Sequence, residues 1–383
     1  MAEPFKNFID TRVVALIGQH VQRAWPAFDR ADFEAAATAG LDALELKARV
    51  QHLAAALVPR LPPVPEDALR VLEASLGPPG EGDDLSALRP SAAGLAGWPV
   101  WPLTEAVVTV ALNAAPERGL ATLHAMTQRF SAEFAVRPFI DQHPALAFAT
   151  LARWAQDPSA HVRRLASEGS RPRLPWGLRL KALVADPSPT LPLLRALQDD
   201  PSAYVRRSVA NHLNDIAKDH PEVLIAWLAE HLPAAPPERR ALLRHACRGL
   251  IKAGDPAVLA AWGQGAALHG RASLQLDRDR VAVGESLTLT CTLESRARTP
   301  QHLVVDYAVH HAKAAGHTTA KVFKGWVIDL APGETRTLVK RHSFRPVTVR
   351  RYHPGAHALD LRINGQVRAE ERFTLDLTLA PGT

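Results

Sequence analysis

The sequence predicts a multidomain protein, in which an all-α, HEAT-like repeat solenoid is followed by an all-β, immunoglobulin-like sandwich. Apolar residues recur at helical spacing through the first two thirds of the chain. One short segment occurs twice, 43 residues apart, and HEAT-type helix pairs repeat every 40 to 47 residues, roughly. After His269 the pattern changes to alternating apolar and polar residues between turn signals. We therefore expect a solenoid over residues 1–264 and a sandwich over residues 269–383.

Helical periodicity is clearest in four segments of the N-terminal half, and proline-rich breaks separate them. These segments are 41–57, 68–76, 104–112 and 120–130. The repeated segment follows, as Asp157-Pro-Ser-Ala-His-Val-Arg-Arg and Asp200-Pro-Ser-Ala-Tyr-Val-Arg-Arg. Aspartate is a good N-cap and proline fits the first helical position, so we expect a helix to start at each copy. The first of these helices should end at Gly169.

The two repeat helices carry polar side chains on matching faces. In the second copy Arg207, Asn211 and Asp215 recur at four-residue spacing. The apolar positions, which we expect to face the core, are Val205, Val209, Leu213 and Ile216. In the first copy Arg164 and Glu168 take the places of Arg207 and Asn211. Stacked repeats would bring these polar lines side by side.

The C-terminal segment has the sequence pattern of a β-sandwich. Alternation is clearest at 272–276, 286–293, 302–309 and 373–377. Turn signals occur at 283–285, 331–334, 353–355 and 363–366, at intervals typical of an immunoglobulin-type sandwich. The glycine- and alanine-rich stretch 260–267 is the expected connector.

Basic charge is concentrated in two parts of the chain. Residues 153–252 carry 16 Lys and Arg against 10 Asp and Glu, and residues 269–383 carry 17 against 11. Residues 1–152 are acidic, with 12 against 17. This distribution favours a shared polyanionic partner, although solvated arginine-rich faces would explain it as well.

Several classes of function lack their sequence signals. Cys247 and Cys291 support neither a disulfide framework nor a cysteine metal site, and a reducing cytoplasm fits best. No histidine spacing completes a zinc site, and no phosphate-binding glycine loop or nucleophile elbow occurs. Neither a signal peptide nor a membrane span is evident. We expect a soluble, monomeric protein without metal or cofactor.

Three long blocks of sequence carry a family resemblance. They are Arg129-Phe-Ser-Ala-Glu-Phe-Ala-Val-Arg-Pro-Phe-Ile, Ala166-Ser-Glu-Gly-Ser-Arg-Pro-Arg-Leu-Pro-Trp and Ser208-Val-Ala-Asn-His-Leu-Asn-Asp-Ile-Ala-Lys-Asp-His-Pro. In these blocks, and over nearly its whole length, the chain resembles DNA alkylation repair glycosylases of the AlkC branch of the AlkC/AlkD superfamily. The resemblance extends to the immunoglobulin-like extension that one subgroup carries. It implies that cationic N-alkylated bases, 3-methyladenine and 3-methylcytosine above all, are excised from double-stranded DNA, with the lesion left largely in the duplex.

The resemblance also implies particular site residues. Glu168, Asp215 and Glu133 match the catalytic acids of the family, and Trp176 matches its aromatic residue. A cationic base leaves as a neutral molecule, so the acids need only stabilise charge on the deoxyribose and activate water. The expected DNA contacts also comprise Arg163, Arg164, Arg171, Arg173, Arg206, Arg207, Asn211, Lys218, Lys321, Lys324, Arg345, Arg350 and Arg351. Those in the sandwich would act as a clamp.

Spacing alone leaves structural alternatives open, because each acid has a basic neighbour on its helix. The alternative ion pairs are Glu168 with Arg164, Asp215 with Lys218 and Glu133 with Arg137. Trp176 would ordinarily be a core residue. For the whole protein the alternatives are a noncatalytic HEAT-type scaffold and a protein that binds damaged DNA without cutting it.

Overall fold

The computed structural model describes residues 5–80, 82–84, 88–264, 266–313, 317–346 and 352–377. Within them, helices precede strands along the chain, as the sequence predicts. The helices are α1 (Thr11–Ala24), α2 (Arg30–Thr38), α3 (Leu46–Leu57), α4 (Pro65–Ala74), α5 (Val100–Ala111), α6 (Pro116–Thr127), α7 (Val136–Gln142), α8 (Pro144–Trp154), α9 (Ala160–Gly169), α10 (Lys181–Ala185), α11 (Leu191–Leu197), α12 (Ala203–Ile216), α13 (Pro221–His231), α14 (Pro237–Ala246), α15 (Arg248–Ala253) and α16 (Pro256–Ala261). The strands are β1 (Gly270–Leu276), β2 (Arg280–Ala282), β3 (Ser286–Ser295), β4 (Gln301–Ala312), β5 (Thr318–Leu330), β6 (Thr335–Ser343), β7 (Gly355–Ile363) and β8 (Gln366–Asp376).

The chain forms two compact units. One consists of Met1–His220 with Ala235–Ala246, and the other of Pro221–Ala234 with Cys247–Thr383. Helix α14 therefore belongs to the helical unit, whereas α13, α15 and α16 belong to the unit that contains the strands. The predicted boundary at residues 264–269 stays a prediction. None of the described helices has the length and apolarity that a membrane crossing requires.

The helical unit has its core along the repeat helices, with α12 packed against α9 and α14. The apolar positions predicted for the second repeat helix, Val205, Val209, Leu213 and Ile216, are all buried. That confirms the predicted helical face. Of the polar positions predicted to meet, Glu168 of α9 and Asp215 of α12 are bridged by Arg171, whereas Asn211 of α12 contacts His245 of α14.

The starts of the repeat helices differ from the prediction. Ser159 and Ser202, rather than the aspartates two residues earlier, occupy the N-cap positions. Asp157 and Asp200 instead accept a hydrogen bond from the backbone N–H of these serines, at 2.8 and 2.9 Å. The Asp-Pro pair thus forms a turn before each helix, because an aspartate side chain can bond the backbone two residues on.

Helix α9 ends at Gly169 as predicted, but the reason is packing. The residue does not have the left-handed backbone that a C′ glycine adopts. A Cβ atom at this position would lie 2.4 Å from Cγ1 of Val136 on α7. Glycine therefore lets the end of α9 approach α7 closely, and the loop that follows starts against α7.

The strands form two sheets. One has the order β1-β3-β6, and the other has the order β2-β8-β7-β4-β5. Alternate residues of β3 point into the core, where Leu287, Leu289 and Leu293 are fully buried. Two further turns match predicted signals, since Gly333 joins β5 to β6 and Asn364 with Gly365 joins β7 to β8, all with positive φ.

Candidate functional site

Three carboxylates converge in the helical unit. Glu168 lies near the end of α9, Asp215 near the end of α12, and Glu133 just before α7. Glu168 and Asp215 are only 5% and 1% exposed, and the side chain of Glu133 is also largely buried. Buried carboxylates need partners, because an isolated charge is costly to remove from water.

Two arginines bridge the three acids. Arg164 Nη1 lies 2.6 Å from Glu133 Oε2, and its Nη2 lies 3.5 Å from Glu168 Oε1. Arg171 places Nη1 at 2.6 Å from the same Oε1, and its Nη2 at 2.7 Å from Asp215 Oδ2. Acids and arginines therefore alternate in a buried array, which we call the acid–arginine array.

This geometry decides between the three alternative ion pairs and other partners for the acids. Glu168 does pair with Arg164, and Lys218 Nζ does lie 2.7 Å from Asp215 Oδ1. Neither acid is a solvated surface residue, however, since both are buried. Glu133 pairs with Arg164 and not with Arg137, which donates hydrogen bonds to backbone carbonyls.

The carboxylate of Glu168 is held ionised. Burial alone would raise its pKa, but Arg164 and Arg171 together keep the pKa of Glu168 below its ordinary value. Ser208 on α12 adds a hydrogen bond from Oγ to Glu168 Oε2, at 2.6 Å. Both oxygens of the carboxylate therefore have fixed partners, and its orientation is set by three elements of the fold.

Trp176 lies at the surface, on the loop after α9 that also carries Arg171 of this array. It is 69% exposed, so the alternative of a core tryptophan is wrong. Its backbone has a φ of 64°, which is unusual for a bulky side chain and costs of order 1 to 3 kcal/mol. Lys47 Nζ donates to the Trp176 carbonyl at 2.9 Å. An exposed aromatic ring on a strained, anchored backbone is typical of a ligand contact.

Arg163 and Arg206, which were expected to bind phosphate, have structural partners. Each donates from Nη1 to the two carbonyls of its Asp-Pro turn, Arg163 at 2.8 and 2.9 Å and Arg206 at 2.5 and 2.9 Å. Arg163 also forms a bidentate pair with Asp200, at 2.6 and 3.0 Å. The first arginine of each repeat thus stabilises the turn before its own helix.

Other basic residues of the helical unit lie nearer to solvent. Arg207 is exposed on α12 and Lys218 is exposed just after its end, and Asn211 accepts a hydrogen bond from His245 at 3.1 Å. Arg206 and Arg207 line a cavity of about 510 Å³ between α12 and α14. Arg173 forms a bidentate pair with Asp219, with both contacts at 2.6 Å.

The predicted sandwich contacts are located only in part. Lys321 and Lys324 are exposed on β5, and Arg345 is exposed just after β6. Lys321 lies over the ring of Phe323 at 5.7 Å. Arg350 and Arg351 lie outside the described residues.

His212 on α12 is fully buried. Its Nδ1 lies 2.9 Å from the carbonyl of Ser167, so Nδ1 carries the proton that it donates. Burial is the main reason why the pKa of His212 falls to about 3, and the imidazole is neutral at neutral pH.

A pH dependence of stability follows. Between pH 6.5, the ordinary histidine pKa, and pH 3, the unfolded chain binds a proton at His212 that the folded chain does not. The free energy of unfolding should therefore fall as the pH falls through this window. His212→Gln, which keeps a donor but does not titrate, should make that fall less steep in urea unfolding measured from pH 7 to pH 4. An unchanged slope would contradict a neutral, buried His212.

Comparison with known proteins identifies the family. The family model for DNA alkylation repair enzymes matches residues 128–250, and a model described as the C-terminal Ig-like domain of the uncharacterised protein YhaZ matches residues 271–377. YhaZ of Bacillus subtilis (strain 168) is 35% identical over 372 residues, covering 95% of this chain and 97% of that protein. The solved alkylpurine DNA glycosylase AlkC of Pseudomonas fluorescens, bound to DNA containing an abasic site analog, is 34% identical with a TM-score of 0.87. This match covers 97% of this chain and 99% of that one.

The chain belongs to the AlkC branch of the DNA alkylation repair enzymes. Membership confirms the predicted fold, a helical repeat region followed by an immunoglobulin-like domain. All three acids and Trp176 lie inside the segment that the alkylation repair model matches. Their roles in this AlkC-branch chain are not established by that match and remain predictions.

Several partners of the acids in this AlkC-branch site were not predicted from the sequence. They are Ser131, which donates to Glu133 at 2.8 Å, and Ser208, which donates to Glu168 at 2.6 Å. In addition, the ring of Tyr204 lies 4.9 Å from the guanidinium carbon of Arg164. Each lies inside one of the three blocks or next to a repeat motif. The signal that would have found Ser208 is its position seven residues before Asp215, about two helical turns away on the same face.

Proposed function

We propose that the protein is a monofunctional DNA glycosylase that removes cationic N-alkylated bases, 3-methyladenine and 3-methylcytosine, from double-stranded DNA. The observation that carries the proposal is the convergence of Glu133, Glu168 and Asp215 in one buried array, whose Arg171 lies on the same loop as an exposed tryptophan, Trp176. Family membership supports it, since the Pseudomonas fluorescens relative is an alkylpurine DNA glycosylase bound to DNA with an abasic site analog.

The chemistry needs carboxylates and no acid catalyst. When the bond between C1′ and the base nitrogen breaks, its electron pair leaves with the base and neutralises the positive charge of the base. The deoxyribose becomes cationic, and water then attacks C1′ and releases a proton. Fixed carboxylates stabilise such charge without reorganising during the reaction. One of them accepts the proton from water.

We assign the position nearest the sugar to Glu168. Its carboxylate is held ionised, and Arg171, Arg164 and Ser208 fix its orientation. Asp215 and Glu133 share charge stabilisation and water activation. Arg171 keeps Glu168 and Asp215 apart at a defined distance, since it bonds both of them.

We further propose that the lesion stays largely in the duplex. A cationic base needs no pocket that grips and protonates it, whereas a neutral lesion does. Trp176 would then contact the deoxyribose from the backbone side. Its exposure and its anchored backbone support that role.

DNA phosphates would contact the basic residues around the array. Exposed residues such as Arg207 and Lys218 meet phosphates at little cost, because their side chains already contact solvent, which also screens the pair of Lys218 with Asp215. Arg164, Arg171 and Arg173 also have carboxylate partners, and their contribution would be to hold the site in place. We propose that Lys321, Lys324 and Arg345 of the sandwich contact DNA as well.

The salt dependence of binding tests one of these contacts. Arg207→Gln should weaken binding to a duplex with an abasic-site analogue and reduce the slope of log K against log salt by about one, because one fewer phosphate is neutralised. Arg12→Gln is the control, since Arg12 is also exposed but lies on α1. Fluorescence anisotropy at several salt concentrations measures both slopes. Equal slopes for wild type and Arg207→Gln would remove Arg207 from the interface.

The proposed function is tested with alkylated duplex DNA. The protein is incubated with dimethyl-sulfate-treated duplex under conditions that spare abasic sites, and the product is then treated with alkali, which breaks strands at such sites. A glycosylase leaves strand breaks in proportion to time and protein concentration. Salt-dependent binding without strand breaks would contradict the proposal and favour a protein that binds damage without cutting.

A further inference from the structure

A buried arginine outside the acid–arginine array contacts the loop that follows α9. Arg137 lies on α7, is 0% exposed, and is among the largest fully buried side chains of the described residues. Burial is the main cause that lowers its pKa to about 10, with Arg171 contributing, so it stays charged at neutral pH. A guanidinium that stays charged while fully buried must donate to strong hydrogen-bond acceptors.

The acceptors are carbonyl oxygens at both ends of one loop. Nη1 of Arg137 donates to the carbonyls of Gly169 and Arg171, each at 2.8 Å, and Nε donates to the carbonyl of Leu178 at 2.6 Å. The segment between them, residues 170–177, connects the end of α9 to the backbone before α10. We call it the arginine–tryptophan loop, because it carries Arg171, Arg173 and Trp176.

The loop is also fitted to the stem of this arginine. A Cβ atom on Gly177 would lie 3.2 Å from both Cδ and Nε of Arg137. Any side chain there would press on the guanidinium that holds the loop. The single arginine therefore fixes the loop by three hydrogen bonds and by packing.

We propose that Arg137 is a positioning residue, which holds Arg171 between Glu168 and Asp215 and fixes the backbone that carries Trp176 by clamping both ends of the arginine–tryptophan loop. The inference rests on the proposed function for its effect on rate. Its effect on loop order does not depend on that function. The hydrogen bonds of Arg137 go to carbonyl oxygens and not to the acids of the array, so it acts through the loop.

The consequence for catalysis is one of geometry. Arg171 bonds both Glu168 and Asp215, so a displaced loop moves the counter-charge of two acids at once. A displacement of about 1 Å at a site of this kind can cost about 100-fold in rate. Binding of DNA should change far less, because Arg207 and Lys218, the exposed basic residues that we expect to bind phosphate, lie outside the loop.

The test uses the full chain with Arg137→Met, a side chain of similar length that makes no hydrogen bonds to carbonyls. We expect the rate of base release at saturating DNA to fall by about 100-fold, with little change in affinity for a duplex with an abasic-site analogue. Trypsin should cleave after Arg173 faster than in the wild type. In Arg137→Ala, added methylguanidinium should restore part of the rate, whereas methylammonium at the same ionic strength should not.

Arg129→Met is the matched control. Arg129 also donates to two carbonyls, those of Gly77 and Ala125 at 2.8 Å each, and burial lowers its pKa, but it does not contact the loop. It should lower stability without exposing Arg173 to trypsin. If Arg137→Met does not fold, Gly177→Ala perturbs the same contact from the loop side and decides the question.

The outcomes separate the two proposals. If the wild type releases no base, the proposed function fails, and trypsin cleavage still shows whether Arg137 clamps the loop. Alternatively, the wild type is active, while Arg137→Met, or Gly177→Ala in its place, releases bases at the wild-type rate and resists trypsin cleavage after Arg173 as the wild type does. In that case Arg137 is not a positioning residue.

Discussion

Replacing Glu168 with Gln should lower the rate of base release at saturating DNA by about 100- to 1,000-fold, the usual cost of removing one preorganised group that stabilises transition-state charge. The change removes the negative charge and keeps the shape. The variant should still fold, because each of the two arginines that pair with Glu168 retains another carboxylate. Arg164 keeps Glu133 at 2.6 Å, and Arg171 keeps Asp215 at 2.7 Å.

The measurement is single-turnover base release, together with the affinity for a duplex with an abasic-site analogue and the thermal unfolding midpoint. Glu73→Gln is the matched control, since Glu73 also pairs with an arginine, Arg118, at 2.5 Å and its pKa is also lowered. It should cost stability but leave the single-turnover rate unchanged. A Glu168→Gln chain that releases bases as fast as the wild type would remove Glu168 from the chemistry.

Replacing Asp215 with Asn should lower the same rate by about 100-fold or more, which is the range for loss of a general base or of one charge-stabilising group. Asp215 is 1% exposed and holds Arg171 from the side opposite Glu168. Lys218 loses its partner at little cost, because it is exposed. Substrate affinity should change much less than the rate.

Asp200→Asn provides the comparison for Asp215→Asn. Like Asp215, Asp200 is a buried aspartate that pairs with an arginine, in this case Arg163. Its replacement should lower the unfolding midpoint and leave the rate at saturating DNA unchanged. If both variants lose rate to the same extent, Asp215 acts through stability and not through the reaction.

The helical core of the site could be predicted from periodicity. The spacing of Val205, Val209 and Leu213 fixes one face of α12 as buried, and so places Asp215 on another face. The 43-residue repeat pairs α9 with α12, and these helices do pack together. Strand alternation predicted the sandwich equally well, because it depends on local sequence alone.

The partners of the acids could not be predicted, because they are set by contacts between distant parts of the chain. Spacing favoured local i, i+4 pairs, whereas Arg171 reaches 44 residues to Asp215 and Arg164 reaches 31 residues to Glu133. Composition favoured a buried Trp176, and the loop held by Arg137 exposes it instead. The N-caps differed because the Asp-Pro pair forms its own turn before each helix.

The most direct test of the central claim is chromatographic identification of the free base released from dimethyl-sulfate-treated duplex DNA. The account predicts that the wild-type chain releases free 3-methyladenine or 3-methylcytosine, and that Glu168→Gln binds the same DNA but releases far less. A wild-type chain that binds the alkylated duplex and releases no free base would contradict it, and the acid–arginine array would then be a structural element of a DNA-binding protein.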